Sequence, residues 1–360
     1  MQSRRQVLAM IGAAGLTPLA TLARAGTDPA YIASRQNADG SFSAVVLDGA
    51  GHDLFTEELS ARGHDAAVSP DGRTVVMFAR RPGRFAIVLD LSRGRRVAAF
   101  ASPDDRHFYG HGFFGADGRL LYATENDFEE ERGLLGVYDS ANWQRIGEIE
   151  TGAIGPHEAV LLADGRTVAC ANGGVATHPD YPRQKLNLPF MKPSVSYVDI
   201  ETGDLLASAE LPAFHQLSIR HVSQAGDGSV WFGGQYEGPE TDTVPLVGRH
   251  RPGEALEMIE VPDAYASMAH YIGAVETSAD GTRIAASSPR GGKVMVFDAA
   301  SRDIVATLTA PDVCAVAPAA GHDFLAADGA GTIWTGDAPL AHVNGRWDNH
   351  AVALGGRGKG

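Results

Sequence analysis

Four segments of the 360-residue chain read alike: HDAAVSPDGRTVVMFAR from His64, HGFFGADGRLLYATEN from His111, HEAVLLADGRTVACAN from His157 and HVSQAGDGSVWFGGQ from His221. Each sets an apolar strand, a glycine-containing tight turn and a second strand in order, and the glycine supplies the positive φ that a short hairpin needs. Two further copies lack the histidine: GAVETSADGTRIAASS from Gly273 and CAVAPAAGHDFLAAD from Cys314. A third strand closing on aspartate follows most copies, as in AIVLDLSRG, LGVYDSAN, VSYVDIETG and VMVFDAASR. A fourth comes after it, as in DLLASAELP.

Four strands recurring about every 48 residues between His64 and His350 have the period and content of propeller blades. The ends complete the count. HAVALGG at 350–356 is one isolated innermost strand, while residues 30–60 (AYIASRQ, SFSAVVLDG, DLFTEELS) supply three strands that lack a first. Joined, they form a seventh blade, and such closure removes the open sheet edges that would otherwise pair with other chains. The expected fold is therefore all-β: a WD40/YVTN-like seven-bladed β-propeller with four antiparallel strands per blade, forming one domain over residues 26–356. Residues 357–360 read as a disordered tail. The 43 glycines and 19 prolines, with 44% hydrophobic and 21% charged residues, agree with a turn-rich globular chain.

Residues 1–25, MQSRRQVLAMIGAAGLTPLATLARA, read as a cleaved export signal. Ser3, Arg4, Arg5 and Leu8 resemble the twin-arginine motif, with Val7 and Ala9 departing from it, and a general secretory signal is the alternative. The mature protein is expected in the periplasm. No other run approaches the roughly 20 apolar residues that span a bilayer, so no membrane anchor is expected. The leader carries three arginines and no acid, so its removal takes the formal charge from −14 to −17. Nucleic acid and anionic lipid would repel such a surface. A monomer is expected. Cys170 and Cys314 fall in different repeats and have no paired spacing, which indicates neither a disulfide framework nor a zinc ribbon.

In an antiparallel blade, the connector into the first strand and the loop between the second and third strands open on one face. His64, His107, His111, His157, His178, His215, His221, His270 and His350, nine of thirteen histidines, belong to that face. The insertions at 125–133, 172–194 and 235–247 lie there too, as binding loops on a repeat fold commonly do. Second strands end nearby with Arg35, Arg80, Glu125, Asn172, Gln235 and Arg290, which suggests a polar ring around a histidine-lined funnel. Neutral imidazole is the commonest protein ligand for transition metals, so His64, His111, His157 and His221 form the candidate set for Fe, Cu or Zn. His107, His178, His215, Arg220, Gln235, Arg290 and Cys314 are the candidates to surround that set or hold an accompanying ligand.

Two other readings stand beside it. In WD-type propellers a histidine in this connector is structural, although no third strand here ends in Trp-Asp. The chain has no G-x-S-x-G, no C-x-x-C-H and no phosphate-binding glycine loop, so no catalytic residue is nominated and a lactonase-type or lyase-type activity rests on the fold alone. A docking platform would use the long loops, including FEEERG, rather than the histidines.

Several stretches, among them RHFYGHGFF, IGPHEAVLLADGRTVACANGGVATHPD, KLNLPFMKPS, HQLSIRH, VWFGGQYEGP and SSPRGGKVMVFD, resemble the bacterial family catalogued as domain of unknown function 1513, over essentially residues 1–350. The resemblance implies an exported seven-bladed propeller. Genes of that family often sit beside imelysin-like proteins and a di-haem oxidoreductase, which implies periplasmic iron-uptake proteins as partners and an accessory role in iron handling. It brings no catalytic residues to carry over.

Overall fold

The computed structural model describes residues 28–178, 180–181 and 184–355. The leader at 1–25 and the tail at 357–360 lie outside the described residues. Seven four-stranded antiparallel sheets are arranged as a ring. Numbered from the first complete repeat, blades 1 to 6 span 63–101, 106–150, 156–210, 217–258, 274–309 and 313–342. Blade 7 is composite: the innermost strand Gly345–Ala353 pairs with Tyr31–Asn37, which leads to Phe42–Leu47 and Asp53–Leu59. The expected seven blades and their closure by both ends of the chain are borne out. Cys170 and Cys314 are buried in blades 3 and 6.

The burial of each strand follows its place in the blade. Inner strands are covered on both faces by neighbouring sheets and are almost wholly buried, as Pro156–Leu161 is. Outermost strands such as Arg145–Glu150 alternate half-buried and exposed residues, the signature of one wet face. Seven apolar clusters fill the seven wedges between blades, one of them Val76, Phe78, Phe108, Leu121 and Tyr138 between blades 1 and 2.

The repeated Asp-Gly pairs build the first hairpin of blades 1 to 5. Asp71, Asp117, Asp164 and Asp280 each accept a hydrogen bond from the N–H two residues on, at 2.9–3.1 Å, while the glycine between takes a φ of +68° to +76°. The aspartates that end third strands act similarly: Asp139 and Asp298 accept from Ala141 and Ala300. Among the described residues no helix is long and apolar enough to cross a membrane.

One irregularity positions the site. In every blade except blade 5, the pairing of first and second strands slips at or beside the repeat position of His64, His111, His157, His221, Cys314 and His350. A bulge bends a strand and re-aims a side chain. Blade 5, which has Gly273 there, pairs without a slip.

Candidate metal centre on the ring axis

The bulged first strands bring five histidine rings, one from each of five blades, into a single buried cluster. His64, His111, His157, His221 and His350 are 1–7% exposed, and their ring centroids approach to 4.6–5.8 Å. The closest approach is between His64 and His350. Gly110, at φ +104°, makes room for it, because a Cβ there would stand 2.6 Å from His64 Cδ2.

Three of these rings are held from behind by a carboxylate of the preceding blade. His111 Nδ1 donates to Asp65 Oδ2 at 2.8 Å, and His221 Nδ1 donates to Glu158 Oε2 at 2.9 Å. His64 Nδ1 lies 3.2 Å from Asp348 Oδ1 and 3.3 Å from Arg80 Nη1, and Arg62 and Arg80 both pair with that carboxylate. An imidazole whose Nδ1–H is held by a carboxylate presents its Nε2 lone pair on the opposite side, the arrangement that surrounds most histidine-bound metals.

Burial holds His64, His157 and His350 well below the usual histidine pKa, and the charges of neighbouring groups, Arg80 for His64 and the other rings for all three, add to it. These imidazoles are neutral at physiological pH and so able to donate a lone pair. Several ring nitrogens have nothing to bond. Among the described residues, His111 Nε2, His157 Nδ1 and both nitrogens of His350 are buried without a hydrogen-bond partner. Each such group costs about 1–3 kcal/mol unless something satisfies it.

The donors group as a metal requires. One atom each from His64, His111 and His350, or from His111, His157 and His221, lies within 4.8 Å of the others, and so does the set Asp65, His111 and Glu158. Donors at about 2.1 Å from an ion stand roughly 4.2 Å apart at most, so slight contraction closes either set. Buried acids balance the charge: Asp65, Glu158, Glu276 and Asp348 are all at most 5% exposed. The donor set fits a first-row ion that accepts imidazole and carboxylate.

His64, His111, His157 and His221 are thus adjacent, whereas most of the residues expected around them serve elsewhere. His107 is buried with both nitrogens in use: Nδ1 donates to the Phe108 carbonyl at 2.9 Å, and Nε2 accepts from Asn126 at 3.1 Å. Burial depresses its pKa to about 4. His178 lies further out, lining a cavity of about 140 Å³ with Phe128, Thr177 and Tyr181. His215 is exposed at the end of the short turn Pro212–Phe214. Gln235 donates to the Ile272 carbonyl at 3.2 Å, and exposed Arg290 stacks on Tyr271 at 4.5 Å. The Cys314 thiol packs where Gly273 leaves space, and burial pushes its pKa up to about 12, which keeps it protonated. Arg220 is buried next to His221.

The expected polar ring does not form as one layer. Glu125 turns inward over Gly136, where no Cβ would fit, and is held by Tyr138 at 2.6 Å and Arg145 at 2.9 Å. Asn172 is buried against Ser196 at 2.7 Å, and Arg35 pairs with Asp53 at 2.7 Å. The sequence reading missed Asp65, Glu158 and Asp348 as partners and left His350 out of the ligand set. The signal was present: an acid directly follows His64 and His157, and another precedes His350 by two residues.

A model of the family described as "Protein of unknown function (DUF1513)" matches residues 57–354. The chain belongs to that family. The matched span carries all five histidines of the cluster and the three acids that hold them. Part of the chain is also similar to the dihydro-heme d1 dehydrogenase of Pseudomonas aeruginosa, at 28% identity over 145 residues, 33% of this chain and 29% of that protein. This chain therefore spans less than a third of that relative's length. A chain of Kuenenia stuttgartiensis hydrazine synthase shares the fold, with a TM-score of 0.60 at 15% identity over 81% of this chain and 91% of that one.

Proposed function

We propose that this protein is exported to the periplasm, by the twin-arginine route, and handles a first-row metal ion there, iron foremost, through the histidine cluster on the ring axis. The observation that carries the reading is the set of carboxylate-held imidazoles around buried, unpartnered ring nitrogens. A structural network would be expected to satisfy its own polar atoms. His64, His111, His157, His221 and His350 would hold the ion, Asp65, Glu158 and Asp348 would orient the rings, and the buried acids would offset the positive charge. A bound Fe or Cu ion would add one-electron chemistry, and Zn would add only a fixed charge. The similarity to part of a protein named for haem d1 chemistry supports a setting in metal metabolism.

The test has two arms. Metal analysis of protein purified from its native compartment should find one ion per chain. Metal-stripped protein titrated with Fe(II), Cu(II) and Zn(II) should show one tight site, absent from a folded His111→Ala/His157→Ala variant. Equal weak uptake by both proteins would return the histidines to a structural role.

A second reading is favoured by one observation. In the loop between the second and third strands of blade 3, Phe190 is 82% exposed, with Tyr181 and Leu186 also exposed. Isolated apolar residues are ordinary on a surface, but three in one inserted loop suit a docking site. Imelysin-like proteins or a di-haem oxidoreductase are the partners to try, by co-purification with and without Phe190→Ser.

A further inference from the structure

Beside the histidine cluster lies a cation with too few partners. Arg220, 3% exposed, occupies the bulge next to His221. Among the described residues its Nε has no hydrogen-bond partner. Glu237 Oε1 stands 3.8 Å from Nη2, too far for a hydrogen bond, and Glu237 is already paired with Lys185. A second guanidinium, Arg81, is near enough to oppose the Arg220 charge. The Tyr109 hydroxyl is buried in the same region with the Thr177 side chain beside it, and its ring centroid is 6.1 Å from that of His157. Both arginines act electrostatically on Tyr109, and Arg220 acts on His157.

A buried guanidinium lacking acceptors is strongly disfavoured, and an anion that takes its N–H groups in pairs relieves the cost. The phenol adds a donor at the same place. The patch is positive on a chain of net charge −14, so composition alone does not explain it. Its neighbour His157 belongs to the metal cluster, so one ligand can reach both.

We propose that Arg220 and Tyr109, with Arg81 beside them, bind a carboxylate group of a di- or tricarboxylate whose other oxygens accompany the metal at the histidine cluster. The ligand is thus a metal–polycarboxylate chelate rather than a bare ion. This rests on the metal reading above for the chelate, but the anion site is testable without metal.

The experiment uses the metal-stripped full chain and isothermal titration with citrate, then with inorganic phosphate. Wild type should bind one citrate, more tightly than phosphate. Arg220→Gln should weaken binding about ten-fold or more, Arg220→Lys should lie between, and Tyr109→Phe should cost about ten-fold, since each lost hydrogen bond to a charged group is worth roughly that much. Adding Zn(II) should tighten citrate binding in wild type and should not do so in His111→Ala/His157→Ala. No saturable citrate binding, preference for phosphate, or wild-type affinity in Tyr109→Phe and both Arg220 variants would overturn the proposal. If Arg220→Gln fails to fold, Tyr109→Phe, which removes one oxygen, decides. Citrate binding that Zn(II) leaves unchanged in wild type would refute the chelate. Metal uptake in the absence of citrate is measured separately, so loss of that uptake with intact citrate binding would sink the metal reading instead.

Discussion

Replacing Asp65 with asparagine tests whether the carboxylates tune the histidines or merely fill space. Asp65 is 2% exposed, and its Oδ2 accepts a hydrogen bond from His111 Nδ1–H at 2.8 Å. Asparagine keeps the shape and can still offer an oxygen, but it removes the negative charge that raises the basicity of Nε2. If the amide turns its nitrogen to the ring, it also favours the wrong tautomer. Loss of such an orienting partner typically weakens a metal site by roughly 10- to 100-fold, about 1.4 to 2.8 kcal/mol. The assay is competition for Zn(II) or Cu(II) against a chelator of known affinity, with thermal melting of the metal-free variant to show that it folds. Asp104→Asn is the matched control, because Asp104 meets Arg84 on the surface with a side chain 98% exposed. Affinity within two-fold of wild type for a folded Asp65→Asn would refute the reasoning, since Asp65 would then have no influence on the donor atom.

Three further outcomes are expected. His107 has its pKa depressed to about 4 by burial, so the unfolded chain takes up its proton first as pH falls. Its contribution is complete above pH ~6.5 and is lost between there and about 4, a difference of about 3 kcal/mol that urea denaturation of wild type against His107→Asn should show as a flatter profile for the variant. Gly110→Ala forces a Cβ to 2.6 Å from His64 Cδ2 at φ +104° and should destabilise by about 2 kcal/mol or more, whereas Gly147→Ala, with open space around it, should cost under ~1 kcal/mol by the same measurement. Deleting residues 345–360 removes the innermost strand of blade 7 and should leave the protein aggregated by size-exclusion chromatography; a monodisperse product would refute closure of the ring.

The fold was legible because a blade is a local unit: the Asp-Gly turns and the strand-ending aspartates announce themselves within 20 residues, and six copies plus a seventh shared between the two ends need only be counted. The same repeat brought His64, His111, His157 and His221 to equivalent positions, and equivalent positions on inner strands converge on the axis. What periodicity does not carry is direction. Glu125 ends a second strand as Arg35 and Arg80 do, yet the small Gly136 beside it opens a pocket inside the sheet that Tyr138 and Arg145 line. His107 lies four residues from His111, but Asn126 on the paired strand occupies it. The acids that hold the rings come from the neighbouring blade, so their pairing depends on how adjacent bulges face each other and not on spacing along one repeat.

The composite seventh blade has a consequence in time as well as in space. Asp348 and His350 lie on the last strand, and their contacts with His64 span more than 280 positions. A growing chain that has produced residues 60 to 340 already carries four of the five rings and two of the three acids that hold them, but neither Asp348 nor His350. The full donor set exists only once the strand Gly345–Ala353 has joined Tyr31–Asn37, so the metal uptake proposed above would double as a readout of finished folding, and detachment of that strand would take Asp348 and His350 out of the cluster together.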